Sequence, residues 1–251
     1  MHANPSADTS PGEALLIIPA YNEEKNLPSL LGRLKARYPD LKVLVVDDGS
    51  TDRTRQVARD HQVHVVSHPF NLGYGVAVQT GYKYALEQGC HLVVQMDADG
   101  QHEVDDLMAL LKPVKEGACD LALGSRFLSG GNYRPPWTRA LGMRFFGAVG
   151  SWLSGQTLTD PTSGFQAMNQ RVLKVYVGRH YPEDYPDADT LVMLHFYGLK
   201  IKEVPVRMYP KPGASMHKGL WRPLYYIAKM CLSLLITYSL KGHFHRRRPK
   251  G

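Results

Sequence analysis

Apolar residues along this chain fall into short unbroken runs separated by longer stretches of helical period. ALLIIPA at 14–20 carries no charge, the pattern of a strand buried on both faces. LKVLVV (41–46), VHVVS (63–67), HLVVQM (91–96) and residues 120–124 read the same way. Between them the period changes. Leu27, Leu30, Leu31 and Leu34 share one face of a helix with Asn26 as its candidate cap and Pro28 in its first turn. A second helix, capped by Ser50 or Thr51, runs to about Gln62, and a third covers 74–89. A fourth opens with Asp105 and Asp106 and ends near Lys115. This alternation predicts an α/β fold, a mostly parallel sheet flanked by helices. The second half is less regular: a Gly/Pro-rich stretch at 129–136, helices near 138–153, 187–197 and 221–240, and strands near 163–168 and 201–208.

In such sheets a ligand sits outside the carboxyl ends of the strands. Polar residues gather there: Tyr21-Asn22-Glu23, Asp47-Asp48-Gly49-Ser50, Asp97-Ala98-Asp99 and Ser125-Arg126. Asp97 and Asp99 offer two hard oxygen ligands, suited to Mg²⁺ or Mn²⁺ with a diphosphate completing the shell. A second Asp-x-Asp, Asp187-Ala188-Asp189, follows PEDYP and opens a helix, where carboxylates serve as dipole partners. Asp48 is placed to accept hydrogen bonds from a base or ribose, and Arg126 suits a phosphate. The loop Asn71-Leu72-Gly73-Tyr74-Gly75 resembles a loose phosphate loop but has neither GxxxxGK nor GxGxxG, which argues against a simple ATPase or dehydrogenase. His61, His64 and His68 span a helix end and a strand, so their side chains diverge and make no zinc site.

Charge adds an asymmetry. Residues 1–203 hold 20 Lys+Arg against 23 Asp+Glu, whereas 204–251 hold 10 Lys+Arg and no acid. A mildly acidic body is followed by a strongly basic end, which points to an anionic partner there. Three widely spaced cysteines (Cys90, Cys119, Cys231) form no disulfide framework and indicate a reducing compartment. Residues 1–13 read as a polar leader with no apolar h-region, 14–220 as one α/β domain, and 221–251 as a terminal helix and basic tail.

Six motifs in order, IIPAYNEEKNL (17–27), VVDDGSTDRT (45–54), NLGYGVAVQTGY (71–82), MDADGQH (96–102), GSRF (124–127) and DPTSGFQAM (160–168), resemble glycosyltransferase family 2. Within it the chain is similar to the dolichyl-phosphate mannose synthases and related polyprenyl-phosphate sugar transferases. The resemblance implies a GT-A (Rossmann-like) fold and an inverting, metal-dependent transfer from a nucleoside-diphosphate sugar to polyprenyl phosphate. It assigns Pro19, Ala20, Tyr21, Glu23 and Asp48 to the nucleoside, with Gly73 in the donor loop. It assigns Asp97, Asp99 and Gln101 to the metal and diphosphate, and Arg126 and Arg139 to the acceptor phosphate. Arg207, Gly213 and Ser215 match a basic loop that closes over the diphosphate. The family's catalytic Asp has its nearest match at Glu183-Asp184, with Asp187 and Asp189 as rivals, so the base stays open. A phosphate monoester acceptor is already largely ionised and needs positioning arginines more than a base.

Residues 224–240, LYYIAKMCLSLLITYSL, are the most apolar stretch, about 26 Å long as a helix and short against a bilayer core of about 30 Å. Lys229, Ser233, Thr237 and Lys241 draw a polar stripe down one side. The expectation is an amphipathic helix lying in the headgroup region, with the basic tail drawn to anionic lipid. The enzyme is then peripheral on the cytoplasmic face of the membrane, with room for a separate membrane-protein partner. The alternatives are transfer to a glycan hydroxyl in polysaccharide assembly, which the acids at 183–189 favour, and a nucleotidyltransferase, whose Gly-rich, Lys-containing first loop is replaced here by PAYNEE. A nucleic-acid-binding module would explain the basic tail but leaves the acidic strand ends without a purpose, so nucleic acid is not the expected partner.

Overall fold

The computed structural model describes residues 13–128, 158–184, 186–209 and 221–246. The run at 14–20 forms β1 (Ala14–Ala20), buried at every position. It pairs in parallel with β2 (Lys42–Asp47) on one side and β4 (Leu92–Gln95) on the other, and β2 pairs in parallel with β3 (His64–Ser67). Beyond β4 come β6 (Gln166–Asn169), β5 (Leu121–Ser125) and β7 (Ile201–Pro205), giving the order β3-β2-β1-β4-β6-β5-β7. β6 is antiparallel to both neighbours, while β5 and β7 are parallel. The sheet is therefore mixed but mostly parallel, as the alternation of elements required.

Successive residues of β1 point to opposite faces and build two cores. Leu15 and Ile17 face α3 (Tyr74–Glu87), α5 (Gln170–Tyr176), α6 (Ala188–Phe196), α7 (Trp221–Ser239) and α8 (Lys241–Arg246). Leu16 and Ile18 face α1 (Leu27–Arg37) and α4 (Leu107–Lys115). The short α2 (Thr54–Asp60) leads into β3. α3 lies close on the sheet because Gly81 has no side chain; a Cβ there would stand 2.4 Å from Ile17 Cγ2. This contact brings the N-terminus of α3 over the carboxyl ends of β1, β2 and β4.

Several local expectations are corrected. Asn26 does not cap α1: its backbone is helical and its Nδ2 donates to Glu23 Oε2 at 2.6 Å. α2 begins at Thr54, past Ser50 and Thr51, where Asp52 Oδ1 accepts from Thr54 N at 2.9 Å. α5 was not anticipated; Asn169 Oδ1 accepts from the backbone N–H groups of Arg171 and Val172 and starts it. The last strand stops at Pro205, and 206–209 continue through a single bridge between His102 and Met208. The leader 1–12, the stretch 129–136, the helix near 138–153, Arg139, Gly213, Ser215 and the tail 247–251 lie outside the described residues.

The helix expected near 221–240 is α7, and part of it packs on the body. Met230 and Leu234 of α7 and Phe244 of α8 are buried against the body. Lys229 and Ser233 of the polar stripe also reach the protein, meeting Asp184 and Asp189. The exposed face of α7 is the apolar one: Leu232, Leu235, Ile236 and Tyr238. Among the described residues no helix is long and apolar enough to cross a membrane.

Candidate active site

The carboxyl ends of β1 and β2 are laced together first. Asn22, in the left-handed region at φ 55°, accepts from Thr51 N, and its own N–H donates to Ser50 Oγ at 3.0 Å. Glu23 N–H donates to Thr54 Oγ1 at 2.8 Å. Pro19 and Ala20 end β1 in register with Val46 and Asp47, and Tyr21 stands 45% exposed beyond them. Gly49 (φ 69°) is required here, since a Cβ would fall 2.3 Å from the carbonyl carbon of Phe70. Phe70, Leu72 and Tyr74 add exposed apolar surface around this end.

Asp48 is 3% exposed. Its Oδ1 accepts from Leu72 N (2.9 Å) and pairs with His68 Nδ1 (2.7 Å), while Oδ2 accepts from Gly73 N (2.9 Å). In this structure Asp48 therefore shapes the 71–73 loop rather than presenting itself openly to a base or ribose.

Tyr74 joins this loop to the acidic pair. Its hydroxyl donates to Asp97 Oδ1 at 2.7 Å and accepts from Gln95 Nε2 at 2.8 Å. Gln95 Oε1 in turn accepts from the buried Tyr82 hydroxyl. Burial pushes the Tyr74 hydroxyl well above the usual tyrosine range, and the Asp97 charge adds to the effect. Tyr74 is thus a fixed donor to Asp97. His102, 4% exposed, meets Asp97 Oδ2 at 3.3 Å. Gly164 closes the other side: a Cβ there would lie 2.6 Å from Asp97 Oδ2 and 2.9 Å from the Tyr74 hydroxyl. Asp97 remains 29% exposed, and Asp99 Oδ1 accepts from Gln101 N at 3.1 Å.

This donor set fits a divalent cation in part. Asp97 and Asp99 are hard oxygen ligands at a strand end, and the bare Cα of Gly164 leaves the Asp97 carboxylate its room. Among the described residues no group of three or more His, Cys, Asp or Glu could hold a metal, so the rest of a shell would come from substrate or water. Gln101 turns its amide to Tyr209 O at 2.9 Å, and its own carbonyl accepts from Tyr209 N.

The acid loop supplies the third carboxylate. The start of α3 presses on it, for a Cβ on Gly75 would meet Glu183 O at 2.3 Å and Pro182 O at 2.5 Å. Asp184 Oδ1 lies 3.5 Å from the corresponding point on Gly73. Asp48, Asp97 and Asp184, from three separate parts of the chain, all border the tripeptide Gly73-Tyr74-Gly75. Asp189 is 3% exposed and accepts from Asp187 N, Thr190 N and Ser233 Oγ. Burial raises its pKa, against the lowering effect of those hydrogen bonds.

Two arginines have partners the sequence did not disclose. Arg126 is 7% exposed, with Nε and Nη2 at 2.6 and 3.1 Å from the Asp160 carboxylate. Asp160 N and Thr159 N donate to Glu203 Oε1, which anchors the DPTSG segment to β7. Arg207 was expected over the diphosphate; its guanidinium instead pairs with Asp106 at 2.8 Å and its N–H donates to the same carboxylate. Tyr74, His102, Asp160 and Gly164 were missed as site residues. For Gly164 and Asp160 the signal was there, in the DPTSGFQAM motif. For Tyr74 it was the one aromatic in the NLGYG loop.

The model of the family described as Glycosyl transferase family 2 matches residues 15–177. A polyprenol monophosphomannose synthase of Mycolicibacterium smegmatis is 39% identical over 167 residues, covering 64% of this chain and 63% of that protein. This chain thus spans less than two thirds of that relative. A UDP-N-acetylglucosamine–dolichyl-phosphate N-acetylglucosaminyltransferase of Methanococcus voltae is 30% identical over 211 residues, covering 76% and 84%. In fold, the chain resembles the glucosyl-3-phosphoglycerate synthase of Mycobacterium tuberculosis, crystallised with Mn²⁺, UDP and glucosyl-3-phosphoglycerate. The TM-score is 0.64 at 18% identity, covering 96% of this chain and 86% of that one.

Proposed function

Because the chain belongs to glycosyl transferase family 2, and so is a glycosyltransferase, we propose that it moves a hexose of mannose or glucose type from a nucleoside diphosphate to polyprenyl phosphate, with inversion. The observation that carries this reading is the convergence of Asp48, Asp97 and Asp184 on Gly73-Tyr74-Gly75 at the carboxyl edge of the sheet. The names of the mycobacterial and methanococcal relatives support the class of acceptor.

The nucleoside takes the end formed by Pro19, Ala20, Tyr21, Glu23 and the loop that Asp48 and Gly73 shape, with Tyr21 and Phe70 as exposed rings for stacking. Asp97 and Asp99, with Gln101 beside them, would hold Mg²⁺ or Mn²⁺. Such a cation supplies positive charge to the leaving diphosphate. Tyr74, His102 and Gly164 keep Asp97 in place for it. An acceptor phosphate oxygen forms the bond to the anomeric carbon as the bond to the diphosphate oxygen breaks. Arg126, oriented by Asp160, and Arg139 meet the acceptor phosphate, while Arg207 and Ser215 flank the closing loop. Of the four candidate acids, Asp184 suits a catalytic role best: it is half exposed and beside Gly73, whereas Asp189 is buried and fully engaged. That position also suits proton removal from a hydroxyl, so transfer to a glycan hydroxyl is the second reading.

The membrane reading rests on the outward Leu232, Leu235, Ile236 and Tyr238 of α7. It is supported by a cavity of about 510 Å³ lined by Lys174, Arg179, His180, Tyr197 and His243 and by no carboxylate among the described residues. A peripheral enzyme on an anionic cytoplasmic leaflet follows, with a separate membrane-protein partner as a further proposal. A screen of GDP- and UDP-hexoses with and without polyprenyl phosphate tests the reaction: lipid-linked product is expected, and product on glycan hydroxyls alone would replace the first reading by the second.

A further inference from the structure

α7 has two working sides. Outward, Leu232 is 58% exposed, Leu235 67% and Ile236 50%. Inward, Lys229 Nζ lies 3.0 Å from Asp184 Oδ2 and donates to Asp184 O at 3.2 Å, and one turn on Ser233 Oγ donates to Asp189 Oδ2. The buried Met230 and Leu234 fix this rotation, each one residue beyond a polar contact. Asp184 directly follows Pro182 and Glu183, whose backbone presses on Gly75, and Asp189 stands in the first turn of α6 just beyond. A path of contacts runs from α7 through Lys229 to Asp184, which lies beside Gly73 of the tripeptide that Asp48 and Asp97 also border.

The ion pair itself is a poor source of stability. Asp184 is 52% exposed and Lys229 28%, and pairs of that exposure contribute little. What it supplies is position, since Lys229 grips both the carboxylate and the backbone carbonyl of one residue. We infer that Lys229, assisted by Ser233, is a positioning residue for glycosyl transfer, and that it ties the lipid-facing helix to the acid loop over the donor site. The inference rests on the proposed function and deepens it. It makes seating of α7 on a phospholipid surface a condition for correct placement of Asp184. The absence of any acid in 204–251 argues for an anionic phospholipid as the occupant of that face.

The test uses the full chain, with polyprenyl phosphate in phosphatidylglycerol–phosphatidylcholine vesicles, and compares wild type with Lys229→Ala, Lys229→Arg and Ser233→Ala. Lys229→Ala is expected to lower kcat by about tenfold to a hundredfold, the cost of a misplaced group, with the donor KM nearly unchanged. Lys229→Arg restores most of kcat, Ser233→Ala falls between, and the urea midpoint of Lys229→Ala stays at the wild-type value. With a water-soluble short-chain prenyl phosphate, added anionic vesicles accelerate wild type and leave Lys229→Ala unmoved. Wild-type kcat in Lys229→Ala, or a loss that only parallels loss of folded protein, overturns the inference. Donor hydrolysis without acceptor is followed in the same proteins. A wild type that hydrolyses donor yet transfers nothing to polyprenyl phosphate sinks the acceptor reading, and the tether is then decided by the hydrolysis rate of Lys229→Ala.

Discussion

Tyr74 is the residue on which the acidic site turns. Its hydroxyl is the last link of a chain running from Tyr82 through Gln95 to Asp97, and every link donates toward the carboxylate. Tyr74→Phe leaves the ring and removes the donor, so kcat is expected to fall about tenfold to a hundredfold, as for lost outer-shell partners, while the fold survives. Steady-state transfer assays with far-UV circular dichroism check it. Gly164→Ala is the steric counterpart. Its methyl would occupy space 2.6 Å from Asp97 Oδ2, so activity is lost although nothing charged has changed. Normal activity in a folded Gly164→Ala protein would show that Asp97 need not stay where it is. At this scale Asp97 and Asp99 stand out as candidates in the sequence, because an acidic pair after an apolar strand is a local pattern. The contacts are not local: Tyr74 meets a carboxylate 23 residues away, and Arg126 pairs with Asp160 across 34.

At the scale of elements, apolar runs and helical periods located the strands and most helices, and the carboxyl ends of the strands gave the candidate site. Two things stayed hidden for physical reasons. The direction of β6 is a matter of pairing, and a short run such as QAMN reads the same either way. What lies beneath α7 is likewise non-local: Asp184 and Asp189 of the body meet the polar stripe at Lys229 and Ser233. Leu235→Glu, on the exposed face, should weaken vesicle binding in a flotation assay with no change in thermal midpoint. Arg126, just after β5, and Asp160 form a buried pair, 7% and 0% exposed in their side chains. Arg126→Ala strands a buried carboxylate and should cost about 3–5 kcal/mol in urea unfolding.

Taken whole, the molecule gathers the carboxylates of the candidate site at one edge of the sheet and carries its unbalanced positive charge after β7. One carboxylate has a pH signature. Burial raises the pKa of Asp189 above its ordinary 3.8, so its ionisation opposes folding. Its contribution is most favourable below that value and is lost as pH rises through the folded-state pKa. Asp189→Asn removes the penalty, and urea melts at rising pH should move the stability difference in the variant's favour above the ordinary carboxylate value and level off beyond the raised one. The central claim is metal-assisted hexose transfer to a lipid phosphate at Asp97 and Asp99. Its most direct test is the transfer of labelled hexose from GDP- and UDP-sugars to polyprenyl phosphate by wild type and Asp99→Asn, with Mg²⁺ or Mn²⁺ present. Wild type is expected to form a lipid-linked product and the variant to lose about a hundredfold or more of that activity. Full transfer by Asp99→Asn with the metal present would contradict it.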